Sequence, residues 1–260
     1  MSEAAVPTAD SAARGVVTIV IPCFNEATRL DPEGIDELLR DATASVLLVD
    51  DGSTDDTRAV LRAIAQRNGG RVDVLALDEN VGKAEAVRRG LSVAIDGGAD
   101  FVAYLDADFA TPSAEMGRIL DVLRDSTRLK AALGARVALL GSDIERKPHR
   151  HYLGRLFATA ASMILGVSVY DTQCGAKAFR VDDNLRAALQ EPFRSRWAFD
   201  VELLDRLLSG MDDGAGRDAV DAIAEVPLRR WRDVRGSKLK AAGMATALVD
   251  LARIALHRGR

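Results

Sequence analysis

The 260-residue sequence predicts one α/β domain, a mostly parallel central sheet flanked by helices. Two observations carry this. From Val16 to Asp108, short β-branched apolar runs alternate with longer stretches of helical spacing, and that rhythm belongs to parallel βαβ units. The chain is also 48% hydrophobic and 28% charged, an ordinary globular balance with enough length for a sizeable core.

VVTIVIP opens the sheet as a continuous apolar run, which suits a strand covered on both faces. PEGIDELLRDA follows as a helix with Pro32 at its start. SVLLVD is the second strand. STDDTRAVLRAIAQRNGG is the next helix, capped by Ser53 or Thr54 and stopped by its glycines. VDVLAL, KAEAVRRGLSVAIDGG and DFVAYLDAD supply a third strand, a third helix and a fourth strand. In the second half KAALGARVAL reads as a strand and RHYLGRLFATAASMILG as a helix. DTQCGAKAFR falls in a loop, FDVELLDRLLSG is a helix, and a final edge strand ends near Pro227. The last helix is amphipathic, with Met244, Leu248, Leu251 and Ala255 on one face.

In such sheets the ligand crevice lies at the carboxyl ends of the strands. This sets CFNEA, DDGSTDD, DENVGK and DADFATP side by side. Asp106 and Asp108 end an apolar strand, and two carboxylates one residue apart suit Mg2+ or Mn2+ bridging to a diphosphate. An isolated pair of this kind is more often a solvated strand end, but Asp50 and Asp51 reach the same crevice. A carboxylate there suits the imide N–H of uracil. Neither a GxGxxG nor a GxxxxGK[ST] motif is present, so any nucleotide is held without a phosphate-cradling loop.

The net charge of −4 argues against a general nucleic-acid binder. Residues 228–260 nevertheless carry nine Lys or Arg against two acids. The two cysteines, Cys23 and Cys174, lack metal-ligand spacing and are expected reduced, with Cys174 a packing residue. The N-terminus is not a signal peptide, and no window has the ~18 apolar residues that a spanning helix needs.

IPCFNEATRL, VDDGSTDDT, NVGKAEAVRRG, DADFATP, GAR, DTQCGAKAFR, WAFDVELL and RDVRGSKL together resemble, in order and spacing, family-2 glycosyltransferases of the GT-A, Rossmann-like fold. The likeness runs over roughly residues 16 to 240 and is nearest to the dolichyl-phosphate β-glucosyltransferases and bacterial polyprenyl-phosphate relatives. It implies transfer of a sugar, glucose from UDP-glucose first, to a polyprenyl or dolichyl phosphate, with inversion by direct displacement. Another sugar nucleotide (GDP-mannose or UDP-GlcNAc) or a soluble acceptor stands as the alternative. An inactive sugar-nucleotide-binding module is a remote one, because the acidic pair is intact.

The resemblance also implies roles. Pro22, Glu26 and Asp51 line the uridine pocket; Lys83 approaches the ribose or diphosphate; Asp106 and Asp108 hold the metal. Arg136 with Arg146 or Arg150 binds the acceptor phosphate. Asp171 sits near the anomeric centre, Gly175 lets the backbone approach the sugar, and Arg232, Ser237 and Lys238 close over the donor diphosphate. One of Asp200 and Glu202 reaches the sugar and the other is solvated. The chain divides into a leader (1–15), a nucleotide-binding half (16–110), an acceptor half (111–236) and a basic amphipathic helix (237–260). The helix carried by eukaryotic relatives is missing, so a cytoplasmic protein meets its lipid peripherally, at the inner face of the plasma membrane. GAR in place of GSR, and Ala84-Glu85 after Lys83, are departures from the pattern.

Overall fold

The computed structural model describes residues 14–145, 148–211, 218–233 and 250–256. Seven strands form the main sheet: β1 (Val17–Cys23), β2 (Ala44–Asp50), β3 (Val72–Ala76), β4 (Phe101–Leu105), β5 (Ala131–Ala135), β7 (Ala176–Arg180) and β8 (Ile223–Pro227). Their spatial order is β3-β2-β1-β4-β7-β5-β8. All neighbours are parallel except at β7, which runs antiparallel to both β4 and β5. A second sheet pairs β6 (Asp143–Glu145) with β9 (Arg230–Arg232).

The strands alternate between two cores, as continuous apolar runs must when both faces are covered. Val20, Val49, Val102 and Tyr104 join one core with helices α3 (Lys83–Asp96), α6 (Asp183–Gln190) and α7 (Phe199–Met211). Ile19, Ile21, Leu48 and Leu105 join the other with α1 (Pro32–Leu38), α2 (Thr57–Arg67) and α4 (Ser113–Arg124). Each such side chain contributes about 1.5–3 kcal/mol through the water it leaves. Helix α5 (Pro148–Leu165) adds Phe157, Ala161 and Leu165 to the first core.

Pro32 begins α1 as expected, and Asp31 caps it by accepting the Glu33 N–H. The cap expected of Ser53 or Thr54 on α2 is not made. Ser53 Oγ accepts the Asn25 N–H instead, and Asp55 accepts the Thr57 N–H. The loop expected at residues 171–180 is half strand, because 176–180 are β7 in mid-sheet. Of the C-terminal helix, residues 250–256 are described and helical; Leu251 and Ile254 pack into the core, while Ala255 faces outward. Met244, Leu248 and most of the leader lie outside the described residues. No described helix is long and apolar enough to cross a membrane.

A polar clamp closes the amino end of the sheet. Asp41 accepts Arg124 at 2.6 Å and both the N–H and hydroxyl of Thr43. Burial alone would raise its pKa, but Arg124 and Thr43 outweigh burial and hold it at about 2, below the ordinary 3.8. A lowered carboxyl stabilises the fold above its unfolded pKa and loses that contribution as pH falls toward the folded one. Asp41→Asn is therefore expected to cost about 1 kcal/mol at pH 7, the shift being discounted for partial exposure. Urea midpoints should show the gap to the parent narrowing as pH drops from 3.8 toward 2.

Candidate active site

The carboxyl ends of the parallel strands are tied to one another by a row of contacts. Asn25, left-handed at φ 55°, accepts the Thr54 N–H at 2.9 Å, and Glu26 N–H donates to Thr57 Oγ1 at 2.7 Å. Asp51 then joins the β2 loop to the β3 loop. Its carboxylate accepts the N–H groups of Val81 (2.8 Å) and Gly82 (3.0 Å) and the Asn80 amide (3.1 Å). Gly52 permits this at φ 63°, with the Glu79 backbone where a Cβ would stand. Lys83 Nζ reaches Asp106 Oδ1 at 2.6 Å, and the Asp106 N–H donates to the Gly175 carbonyl at 2.9 Å.

The expectations for individual residues divide here. Pro22 lies half-buried on β1, at the crevice. Glu26 is buried, with both oxygens paired to Arg29 at 2.6 and 2.8 Å. Asp51 is buried, and its carboxylate is engaged by the 80–82 loop. Burial raises its pKa despite those donors.

Asp106 and Asp108 stand together. Asp108 Oδ1 accepts the Ala110 N–H at 3.0 Å, and burial followed by the neighbouring Asp106 charge pushes its carboxyl up. Burial would lower the Lys83 pKa, but Asp106 and Asp200 outweigh it and raise it. Asp106 Oδ1 is buried against the Lys83 ammonium. Among the described residues no cluster of three or more His, Cys, Asp or Glu could hold a metal. Two crowded carboxylates, with Lys83 drawn onto one of them, fit a hard divalent cation whose other ligands come from substrate and water.

DTQCGAKAFR gives this corner its shape. A Cβ on Gly175 would fall within contact distance of the whole Asp106 carboxyl group, 2.7 Å from Oδ1. The missing side chain makes room for the Asp106 carboxylate. Asp171 is likewise committed. It is buried and grips Arg136 Nε (2.6 Å), Nη2 (2.7 Å) and backbone N–H (3.1 Å). Its place is behind the arginine, where it orients the cation. Burial alone would lower the Arg136 pKa, but the Asp171 charge outweighs it. The guanidinium lies 5.3 Å from the Trp231 ring centre. Lys177, in the segment expected to be a loop, is fully buried; it donates to Asp200 (2.8 Å), Tyr104 (2.9 Å) and the Cys174 carbonyl (2.6 Å). Tyr104 also donates to Asp200.

Asp200 and Glu202 on α7 are both buried, so the expectation that one is solvated fails. Glu202 accepts the N–H groups of Arg194 and Ser195 and pairs with Arg206. Both cysteines are free and buried, and burial pushes both thiols up, away from nucleophilic use. Arg232 is exposed beside Asp143 at 3.1 Å, while its N–H holds the Ala110 carbonyl in the acidic turn. Arg146, Ser237 and Lys238, and the side chain of Arg150, lie outside the described residues. Two cations went unnoticed in the sequence. Arg29 is paired with Glu26, and Arg196 donates to the Val81 carbonyl at 3.1 Å beside Gly82. Nothing in their local pattern marks them, since each is placed by a loop partner.

Residues 18–186 match the family described as Glycosyl transferase family 2. The chain belongs to that family. It is 31% identical over 243 residues to the dolichyl-phosphate beta-glucosyltransferase of Homo sapiens, covering 86% of this chain and 69% of the relative. A dolichyl-phosphate beta-glucosyltransferase of Trichomonas vaginalis is 29% identical over 264 residues, 96% of this chain and 74% of that one. Among solved structures, glucosyl-3-phosphoglycerate synthase of Mycobacterium tuberculosis with Mn2+, UDP-glucose and phosphoglyceric acid superposes with a TM-score of 0.65 at 20% identity, covering 94% and 82% of the two chains. This family-2 glycosyltransferase thus has the fold its sequence motifs imply.

Proposed function

We propose that the chain transfers glucose from UDP-glucose to a polyprenyl phosphate with inversion at the anomeric carbon. The observation that carries this reading is a cation locked in place on the sheet edge that bears the acidic pair: Arg136, held in a fork by Asp171, follows β5 at the same carboxyl edge where Asp106 and Asp108 follow β4. One side suits a diphosphate with its metal, the other a phosphate nucleophile. The names of the relatives supply the lipid acceptor, and Mn2+ with UDP-glucose beside a likeness of fold supports the donor.

In this reading Pro22, Glu26 and Asp51 wall the uridine pocket, and Lys83 lies against the diphosphate. Asp106 and Asp108 hold Mg2+ or Mn2+. When bound, that ion neutralises charge gathering on the departing UDP. Arg136, with Arg146 or Arg150, receives the acceptor phosphate. Arg232 and Lys238 close on the donor diphosphate. A phosphate oxygen attacks the anomeric carbon from the face opposite UDP; the new C–O bond forms as the bond to the diphosphate breaks, and its electron pair leaves with UDP. The nucleophile is already an oxyanion at neutral pH, so no general base is required. The engagement of Asp171 by Arg136 and of Asp200 by Lys177 agrees with this. Neither is available as a base.

Transfer of radiolabelled sugar from UDP-glucose into butanol-extractable polyprenyl phosphate tests the proposal. Wild type should need Mg2+ or Mn2+, and Asp108→Asn should lose at least about a hundredfold in rate, the scale of one lost charge-stabilising group. Label appearing only on a soluble phosphorylated acceptor would reject the lipid. Label moving only from GDP-mannose or UDP-GlcNAc would reject the donor.

A further inference from the structure

We propose that Glu225, whose carboxylate holds the Tyr170 and Asp171 amides, is the positioning residue that aims Arg136. This rests on the reading of Arg136 as the acceptor-phosphate cation. Glu225 belongs to β8, the edge strand, and pairs in register with Leu133 of β5, the strand that delivers Arg136 from its carboxyl end. Its carboxylate reaches across to two consecutive amides, accepting the N–H of Tyr170 on Oε2 and of Asp171 on Oε1, each at 2.8 Å. Residues 170 and 171 lie in neither helix nor strand, so no ladder partner takes those donors. A buried N–H without an acceptor is costly, and one carboxylate serving two neighbouring amides fixes the peptide plane between them.

The fixed plane decides where the Asp171 side chain points. From it, the Asp171 carboxylate presents two oxygens to Nε and Nη2 of Arg136 in the parallel fork that guanidinium geometry favours. The segment is held from α5 too: Arg155 donates to the Tyr170 carbonyl at 3.2 Å and stacks over its ring at 4.2 Å. Glu225 thus stands two links behind the guanidinium, through Asp171. The fork uses Nε and Nη2, and no described residue accepts from Nη1 of Arg136, which remains for a ligand.

The test compares Glu225→Gln, Arg136→Ala and the double variant, with a short, water-soluble polyprenyl phosphate as acceptor. Glu225→Gln is expected to raise the acceptor KM about tenfold, the equivalent of one charge-assisted hydrogen bond. UDP affinity by calorimetry should stay close to wild type, while the thermal midpoint falls modestly because the Gln amide keeps only one of the two acceptors. Arg136→Ala should raise the same KM more, and adding Glu225→Gln to it should change nothing further. A Glu225→Gln protein with equal losses toward donor and acceptor, or a lowered melting temperature with an unmoved acceptor KM, overturns positioning in favour of a purely structural contact. If Arg136→Ala raises the acceptor KM and Glu225→Gln does not, the inference alone fails. If Arg136→Ala leaves it unmoved, the reading of Arg136 falls and the inference with it.

Discussion

Gly175→Ala is expected to remove sugar transfer while leaving the protein folded. The new methyl group would occupy the space of the Asp106 carboxyl group. The two residues cannot drift apart to make room, because the Asp106 N–H is bonded to the Gly175 carbonyl and β4 pairs with β7 from Leu105↔Ala176 onward. The carboxylate has to swing, and in doing so it leaves Lys83 and loses its place beside Asp108. Overpacking of this kind costs about 1–3 kcal/mol of stability, a loss most domains survive. The catalytic loss should exceed it, at about a hundredfold or more in kcat, with a higher Mn2+ concentration for half-activation. Gly117→Ala is the control: nothing lies within 4 Å of its Cβ, it sits inside α4, and it should stabilise by about 0.5–1 kcal/mol. Calorimetry of UDP with and without Mn2+ separates the two effects. Wild-type coupling between Mn2+ and UDP in Gly175→Ala would sink the argument.

The difference between what the sequence disclosed and what it hid follows from where each residue finds its partners. The first four strands were legible because each is a short, mostly apolar run set between helical stretches, and the runs of β1, β2 and β4 fill both cores alternately. Their carboxyl ends therefore fell side by side without further information. β7 was not legible. AKAFR carries two cations in five residues and reads as part of a loop; Lys177 is buried only because Asp200 and Tyr104, distant in the chain, receive it. Helices α4 and α6 drew no notice in the sequence, and the β6–β9 pair joins segments 85 or more residues apart. The carboxylates illustrate the same limit. Asp106 and Asp108 announced themselves by spacing, whereas the engagement of Asp51, Glu26, Asp171 and Glu202 by backbone amides and arginines depends on loops whose course no local pattern sets. Ser53 shows it in miniature, with a cap-like sequence diverted to Asn25.

Lys177→Met is expected to be the most destabilising single substitution in this site, at about 3–5 kcal/mol, because it strands a buried carboxylate. The lysine is 1% exposed and Asp200 6%, so neither charge has water to fall back on. Methionine fills the aliphatic volume but leaves Asp200, among the described residues, with the Tyr104 hydroxyl as its hydrogen-bond donor, and it takes the Lys177 donor from the Cys174 carbonyl. Removing both charges should be milder than removing one. Lys177→Met with Asp200→Leu is expected to recover part of the stability, as matched apolar replacement of a buried pair commonly does. Denaturant midpoints for the two singles and the double give the coupling directly; additive losses would show that the pair is not the reason for the cost. Transfer should not recover with stability. Lys177 holds the carbonyl next to Gly175, and Gly175 sets the Asp106 carboxylate, so a refolded double variant is expected to remain slow with weakened metal activation. A double variant restored in both stability and transfer would make the buried lysine a structural feature alone. One restored in stability only would place it in the support of Asp106.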